Sequence, residues 1–360
     1  MSSLLDRTLG SISEPDAGAM KAARERQDDL TKPQGSLGRL EDLSIQVAGI
    51  RGEAVPRIEH KVVVTMAADH GVAAQGVSLF PSDVTPQMVL NFLQGGAGIN
   101  VLARHGGIRV VVVDMGVAGG LGVHPGLVSR PMGPGTGDIS LGPAMDRAGA
   151  QACIEAGIEV VEEEVGRGLD IVGTGDMGIA NTTSASAICA AMTGESVARV
   201  TGRGTGIGDE QLAHKVEVIE RALAVNRPDP KDPLGVLAGV GGFEIGGLAG
   251  VILGAAAHHV PVVIDGFISG AAALIADGLS PRVLPYLIGA HVSVEIGHRV
   301  TMDHLGIEPL LDLRFRLGEG TGAALGIFVV EAATRVLAEM ATFSEAGVSE
   351  AEEEPEGGTG

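Results

Sequence analysis

Four short β-branched runs, each cut off by glycine beside a carboxylate or a histidine, constrain this chain more than any other feature. Residues 61–65 lead into Ala68-Asp69-His70-Gly71 and 109–113 into Asp114-Met115-Gly116. Residues 169–172 lead into Gly173-Thr174-Gly175-Asp176, and 261–264 into Asp265-Gly266-Phe267. Runs that are apolar throughout, without an alternating polar face, suit strands covered on both sides of a parallel sheet. Alanine-rich stretches of helical character separate them, so the pattern predicts an α/β domain of strands and crossover helices. Ligands of such sheets bind beyond the carboxyl ends of the strands, and the polar endings are expected to converge on one crevice.

The flanks differ from this middle. Residues 17–50 are polar with helical spacing, broken by Lys32-Pro33-Gln34-Gly35 before Leu37, Leu40, Leu43 and Val47 resume a period of three to four. Residues 327–340 carry Ala and Leu at helical spacing. Glutamates crowd 350–356, which reads as a solvated, disordered tail.

Composition narrows the function classes. The 360 residues include 56 glycines with no three-residue period, set among Val, Ala and Ile, which excludes collagen and flexible linkers. An apolar content of 45% excludes disorder as a whole-chain state. A net charge of −20, with Phe 7, Tyr 1 and Trp 0, offers nucleic acid neither a basic surface nor stacking platforms. Cys153 and Cys189 lie in no C-x-x-C or Cys/His cluster, so a reducing cytoplasm is the expected location. The chain opens without a basic region followed by an apolar one, and its most apolar stretch, 248–264, is interrupted by His258, His259 and Pro261. Neither a signal peptide nor a membrane span is expected.

Three glycine loops carry residues with chemical potential. Gly173-Thr174-Gly175-Asp176-Met177-Gly178 has the spacing of a dinucleotide fingerprint between a strand and a helix expected over 182–192. Two other readings stand beside it. Asn181-Thr182-Thr183-Ser184 would cap backbone amides or hold a single phosphate, or the glycines would simply turn the chain. Gly202-Arg203-Gly204-Thr205-Gly206, followed by Lys215, supplies amides, a guanidinium and an ammonium. These are the materials of an anion site and also of ordinary surface loops. In Leu317-Gly318-Glu319-Gly320-Thr321-Gly322-Ala323 the carboxylate either caps the helix that follows or, pressed into partly apolar surroundings, serves as a general base. The histidine groupings are His258 with His259, His291 with Ser293, Glu295 and His298, and His298 with Asp303 and His304. They lack metal-site spacing and read as polar core and strand ends. Met66, Met88, Met115 and Met177 read as core fillers, those at strand ends also as a floor for a flat apolar ligand.

Taken in order, these segments resemble one family. They are Lys32-Pro-Gln-Gly-Ser-Leu-Gly-Arg-Leu-Glu41, Ala67-Ala-Asp-His-Gly-Val72, Gln87-Met-Val89 with Asn91-Phe-Leu93, Gly175-Asp-Met-Gly-Ile-Ala-Asn-Thr-Thr183, Gly202-Arg-Gly-Thr-Gly206 and Arg316-Leu-Gly-Glu-Gly-Thr-Gly-Ala323. Gly241-Gly-Phe-Glu-Ile245, Asp265-Gly-Phe-Ile268 and Met340-Ala-Thr-Phe343 extend the resemblance over 15–344. The family is that of the nicotinate-nucleotide:dimethylbenzimidazole phosphoribosyltransferases. The resemblance implies transfer of the 5-phosphoribosyl group of nicotinate mononucleotide to 5,6-dimethylbenzimidazole with inversion at C1′. The products are nicotinate and α-ribazole 5′-phosphate, for the lower ligand of cobalamin. No cofactor and no metal is implied, because a pyridinium already leaves as a neutral ring.

A base for the acceptor N–H is needed, and Glu319 matches it, with Asp176 as the second catalytic residue. Ser78, Gln87, Met177 and Leu317 fall where the family lines its benzimidazole pocket. Asp176, Gly178, Asn181, Thr182, Gly204, Lys215 and Ser293 fall in segments resembling the nucleotide side, with Arg203 and Gly318 in the same loops. Many family members have Glu where this chain has Asp176. The implied fold is a Rossmann-like parallel sheet with flanking helices plus a small helical domain from both chain ends, in a homodimer. The expected divisions are 1–55 in the small domain, 56–326 as the α/β catalytic domain, 327–348 as a helix rejoining the small domain, and 349–360 as the acidic tail. A nicotinamide-dinucleotide oxidoreductase resting on 173–178 and a non-catalytic nucleotide-binding protein are the competing functions. An intact Glu319 argues against the second.

Overall fold

A computed structural model describes residues 2–349. Its main sheet has six strands, β1 (Lys61–Ala68), β2 (Arg109–Gly116), β3 (Leu127–Ser129), β4 (Ile171–Met177), β5 (Val262–Ile264) and β6 (Leu287–Gly289). They lie in the order β3-β2-β1-β4-β5-β6, and every neighbouring pair is parallel. This is the doubly wound order of mononucleotide- and dinucleotide-binding sheets. Strand order reverses between β1 and β4, and a crevice opens there at the carboxyl ends. Two further parallel strands, β7 (His291–Ser293) and β8 (Leu311–Phe315), form a separate small sheet.

The β-branched runs become strands because both faces are covered: Val62, Val63, Val64 and Met66 of β1 are all buried. β4 runs further than its apolar run predicts. Gly173, Thr174, Gly175 and Asp176 remain in the ladder, with Met66 of β1 opposite Asp176. β3, β6 and β7 have three residues each and carry too little pattern to be read from sequence.

Glycine also explains how a core so poor in aromatic rings is filled. Helices Arg147–Val165 and Phe243–Ala257 cross with their backbones in contact. A Cβ on Gly157 would sit 1.9 Å from the Gly247 carbonyl oxygen, and one on Gly250 would sit 2.0 Å from that of Ile154. The apolar stretch 248–264 is divided between that buried helix and β5, with His258 closing the helix. Among the described residues one helix, Thr321–Glu339, is long and apolar enough to cross a membrane, and 61% of its most apolar window is buried inside the protein.

The chain separates into two compact units. Of the described residues, the larger combines 2–14 with Ile58–Phe328, and the smaller combines Pro15–Arg57 with 329–349. The first fourteen residues thus depart from the expected 1–55 small domain. Leu5 is buried and its N–H donates to Glu155, Arg282 donates to the Ile12 carbonyl, and the Tyr286 hydroxyl to that of Ser13. These contacts hold the segment on the α/β unit. In the smaller unit Ala23, Ile45, Ala48 and Leu337 form the core, and Arg26 Nε donates to the Leu337 carbonyl at 2.6 Å. Lys32 pairs with Glu41 at 2.8 Å within the Lys32–Glu41 motif. From Glu350 on, the acidic tail lies outside the described residues.

Candidate active site

A cavity of about 390 Å³, the size of a small-molecule site, lies beyond the carboxyl ends of β4 and β5 and beside β7. Of the residues singled out from sequence, Ser78, Asp176, Met177, Gly178, Asn181, Thr182, Gly204, Ser293, Leu317 and Gly318 line it. Glu319, Lys215, Arg203 and Gln87 are not in its wall.

The extended β4 decides how the first loop is used. Gly173 and Gly175 are strand residues, so they do not wrap a pyrophosphate, and the dinucleotide reading is lost. A Cβ on Gly175 would lie 2.4 Å from the Glu319 carbonyl oxygen; glycine here lets the 318–320 loop lie on the strand. The Glu319 N–H then donates to the Asp176 carbonyl at 3.1 Å, and the Thr65 hydroxyl donates to the Glu319 carbonyl at 2.9 Å. Both candidate catalytic carboxylates are therefore fixed by one strand–loop contact.

Asp176 is 7% exposed, and its Oδ2 accepts a hydrogen bond from Asn181 Nδ2 at 2.9 Å. Burial raises its carboxyl well above the ordinary range; the negative charge of Asp265 adds to this and the Asn181 bond opposes it. The Glu319 carboxylate turns to the first turn of helix Gly98–Gly106, accepting the Ile99 N–H at 3.1 Å. Burial raises its pKa against the lowering effect of the Ile99 and Gly98 amides, the direction a base working near neutral pH requires. Capping of helix Thr321–Glu339, one reading of Glu319, falls instead to Asp265. Its carboxylate accepts the N–H of Gly320 at 3.3 Å and of Ala323 at 3.0 Å, and burial pushes it up to about 7.

Non-glycine residues with positive φ among the described residues include Ala180, at φ 73°, and Glu319, at φ 64°. Each such position costs about 1–3 kcal/mol and persists only where its surroundings enforce it. Both sit in the loops that build this cavity.

Lys215, on helix Asp209–Asn226, is 1% exposed and donates from Nζ to Thr182 Oγ1 at 2.7 Å. Burial lowers its pKa to about 8, offset by Glu295. Glu295 is raised by burial and drawn back by Lys215, the Gly204 amide and Arg316. Arg316 Nη1 donates to the Gly204 carbonyl at 3.1 Å, so the Gly202–Gly206 loop is tied to the 316–319 loop. Arg203 faces elsewhere: it pairs with Asp209, donates to the Ile207 carbonyl at 2.9 Å, and lines a separate cavity with Gly202, Glu295 and Arg316. Gln87 is exposed on helix Val84–Gln94.

Sequence reasoning left Glu295, His291 and Arg316 out of the site, yet all three line the cavity. The position of Arg316 directly before Leu317-Gly318-Glu319 was the available signal. The 291–298 grouping was set aside for lacking metal spacing, and its role is to build this wall. His291 Nε2 lies 3.7 Å from Asp265 Oδ1, its ring meets Phe315 edge-on, and its carbonyl pairs with His298 Nε2 at 2.9 Å. Burial lowers the pKa of both rings, that of His298 to about 4, so both are neutral near pH 7.

A family model described as phosphoribosyltransferase (DBI_PRT) matches residues 12–348. Among similar proteins, the nicotinate-nucleotide--dimethylbenzimidazole phosphoribosyltransferase of Desulforudis audaxviator is 61% identical over 97% of this chain and 99% of its own length. That of Roseiflexus sp. (strain RS-1) is 62% identical over 96% and 98%. The solved structure of the same-named enzyme from Thermus thermophilus superposes with a TM-score of 0.89 at 44% identity, covering 93% of this chain and 100% of that one.

Proposed function

The chain belongs to the nicotinate-nucleotide:dimethylbenzimidazole phosphoribosyltransferase family, and from that premise we propose how its cavity carries the reaction. It transfers the phosphoribosyl group of nicotinate mononucleotide to 5,6-dimethylbenzimidazole, a step of cobalamin lower-ligand assembly. The observation that carries the site assignment is the bond from the Glu319 amide to the Asp176 carbonyl. It ties the base loop to the strand end at the cavity wall.

In this reading the lone pair of the benzimidazole nitrogen attacks C1′ from the face opposite nicotinate. The C1′–pyridinium electron pair returns to the pyridine nitrogen, and the N–H proton of the other benzimidazole nitrogen passes to Glu319. β becomes α. Proximity supplies much of the acceleration, because both partners are held in line in one cavity. Met177, Phe80, Val77 and Leu317 offer apolar contact to a flat acceptor near Ser78, and Gln87 joins them only if its helix turns it inward. Asp176 and Asn181 face the ribose and nicotinate. Thr182, Gly204 and Ser293, backed by Lys215, receive the phosphate end, where half-buried or buried polar groups and the Lys215 ammonium favour an anion.

The same reading takes the enzyme as a cytoplasmic homodimer, which light scattering on the purified protein checks. Incubation with nicotinate mononucleotide and 5,6-dimethylbenzimidazole tests the whole. Stoichiometric nicotinate and α-ribazole 5′-phosphate, with the α configuration at C1′ by NMR, are expected. Binding of the mononucleotide without product would favour a non-catalytic protein.

A further inference from the structure

The Asp69-His70 pair just past the end of β1 has no place in the reaction as assigned, although it is one of the four polar strand endings. Its surroundings are specific. His70 Nε2 lies 2.6 Å from Glu244 Oε1 with both side chains fully buried, and His70 Nδ1 lies 3.1 Å from Ser184 Oγ. Since a carboxylate only accepts, the ring proton sits on Nε2. No hydrogen bond reaches Glu244 Oε2 among the described residues, so the carboxylate is spent on orienting the imidazole.

Ser184 stands in the first turn of helix Asn181–Thr193, just after Asn181 and Thr182, which the nucleotide half of the cavity uses. The turn entering that helix holds Ala180 in the left-handed conformation, with no side-chain cap on the helix. A second tether reaches the same turn. The Ile179 N–H donates at 3.2 Å to Oγ1 of Thr85, from helix Val84–Gln94. His70, just past the end of β1, and Thr85 thus hold the turn on either side of its strained residue.

We propose that His70, aligned by Glu244, is a positioning residue for the transfer: with Thr85 it clamps the strained 178–184 turn in the conformation that presents Asp176, Asn181 and Thr182 to the mononucleotide. The imidazole touches no substrate. Its effect is felt on the nucleotide half because that turn carries the nucleotide groups, whereas Ser78, Phe80 and Leu317 belong to other segments.

The inference rests on the functional reading above, so wild-type turnover is measured first. In His70→Gln the KM for nicotinate mononucleotide is expected to rise about 10-fold or more. That for 5,6-dimethylbenzimidazole moves less than about threefold. Adding Ala180→Gly is expected to recover about fivefold, because glycine adopts the left-handed conformation without strain. Ser184→Ala leaves the His70–Glu244 pair intact and carries the same test where His70→Gln does not fold, with a rise of about threefold or more in the mononucleotide KM. With the wild-type reaction established, an unchanged mononucleotide KM, equal rises for both substrates, or no recovery on adding Ala180→Gly each overturns the clamp and leaves the reaction standing.

Discussion

The two walls of the cavity are built on opposite principles. On the wall proposed for the nucleotide, Asp176, Asn181, Ser293 and Glu295 are buried, Asn181 donates to Asp176, and a buried Lys215 stands behind Thr182. On the wall proposed for the acceptor, Phe80 is 53% and Leu317 61% exposed. A charged ligand gains from polar groups only if they are already oriented and dry, whereas a flat apolar ring needs shape and area. The polar wall therefore hangs on strand ends and a tethered helix start, and the apolar wall on loops apart from Met177 at the end of β4.

If that contrast is right, substitutions should grade in effect from the catalytic centre outward. Glu319→Ala is expected to lower kcat by about 10²–10⁴-fold with little change in Tm, and a near-normal rate removes Glu319 as the base. The base works only when ionised and its pKa is raised, so the wild-type rate should fall with decreasing pH at a higher pH than an ordinary glutamate gives. The variant should lose that limb.

Lys215→Met comes next. Loss of a buried charged donor is expected to raise the mononucleotide KM by about 10–100-fold. The lysine loses its proton above about 8, so in the wild type this KM should climb as pH rises through that value, and the variant should show no such climb.

Asp176→Glu should matter less, about 10-fold or under in turnover, because the longer carboxylate can extend into the open cavity instead of overpacking the strand. A collapse would mean that the Asn181 bond and the 318–320 loop are fitted to aspartate. Smallest is Leu317→Ala: a rise of about threefold in the benzimidazole KM, with the mononucleotide KM unmoved. Should the mononucleotide KM move as well, the walls are not independent.

Much of this was legible in the chain. The β-branched runs and their polar endings gave the parallel sheet and the crevice, because continuous apolar runs suit only strands covered on both faces. Motif order brought most of the cavity lining into view. The alternatives that the structure sets aside share a cause. Gly173-Thr174-Gly175 looks like a phosphate loop when spacing alone is seen, and Glu319 looks like a helix cap. The strand in fact continues through those glycines because the 318–320 loop lies on them, and Asp265, from the distant end of β5, takes the cap.

The sequence by itself determined the α/β class and the helical flanks, since period and polarity are local properties, and through its resemblance to one family it named the candidate reacting groups. Only the tertiary structure decided that Asp265 meets the start of helix Thr321–Glu339 while Glu319 turns to that of helix Gly98–Gly106. It also decided that Arg203 turns away while Arg316 and Glu295 turn in, and that the first fourteen residues join the larger unit. These outcomes depend on desolvation and on contacts between residues far apart in the chain, and no local pattern carries them.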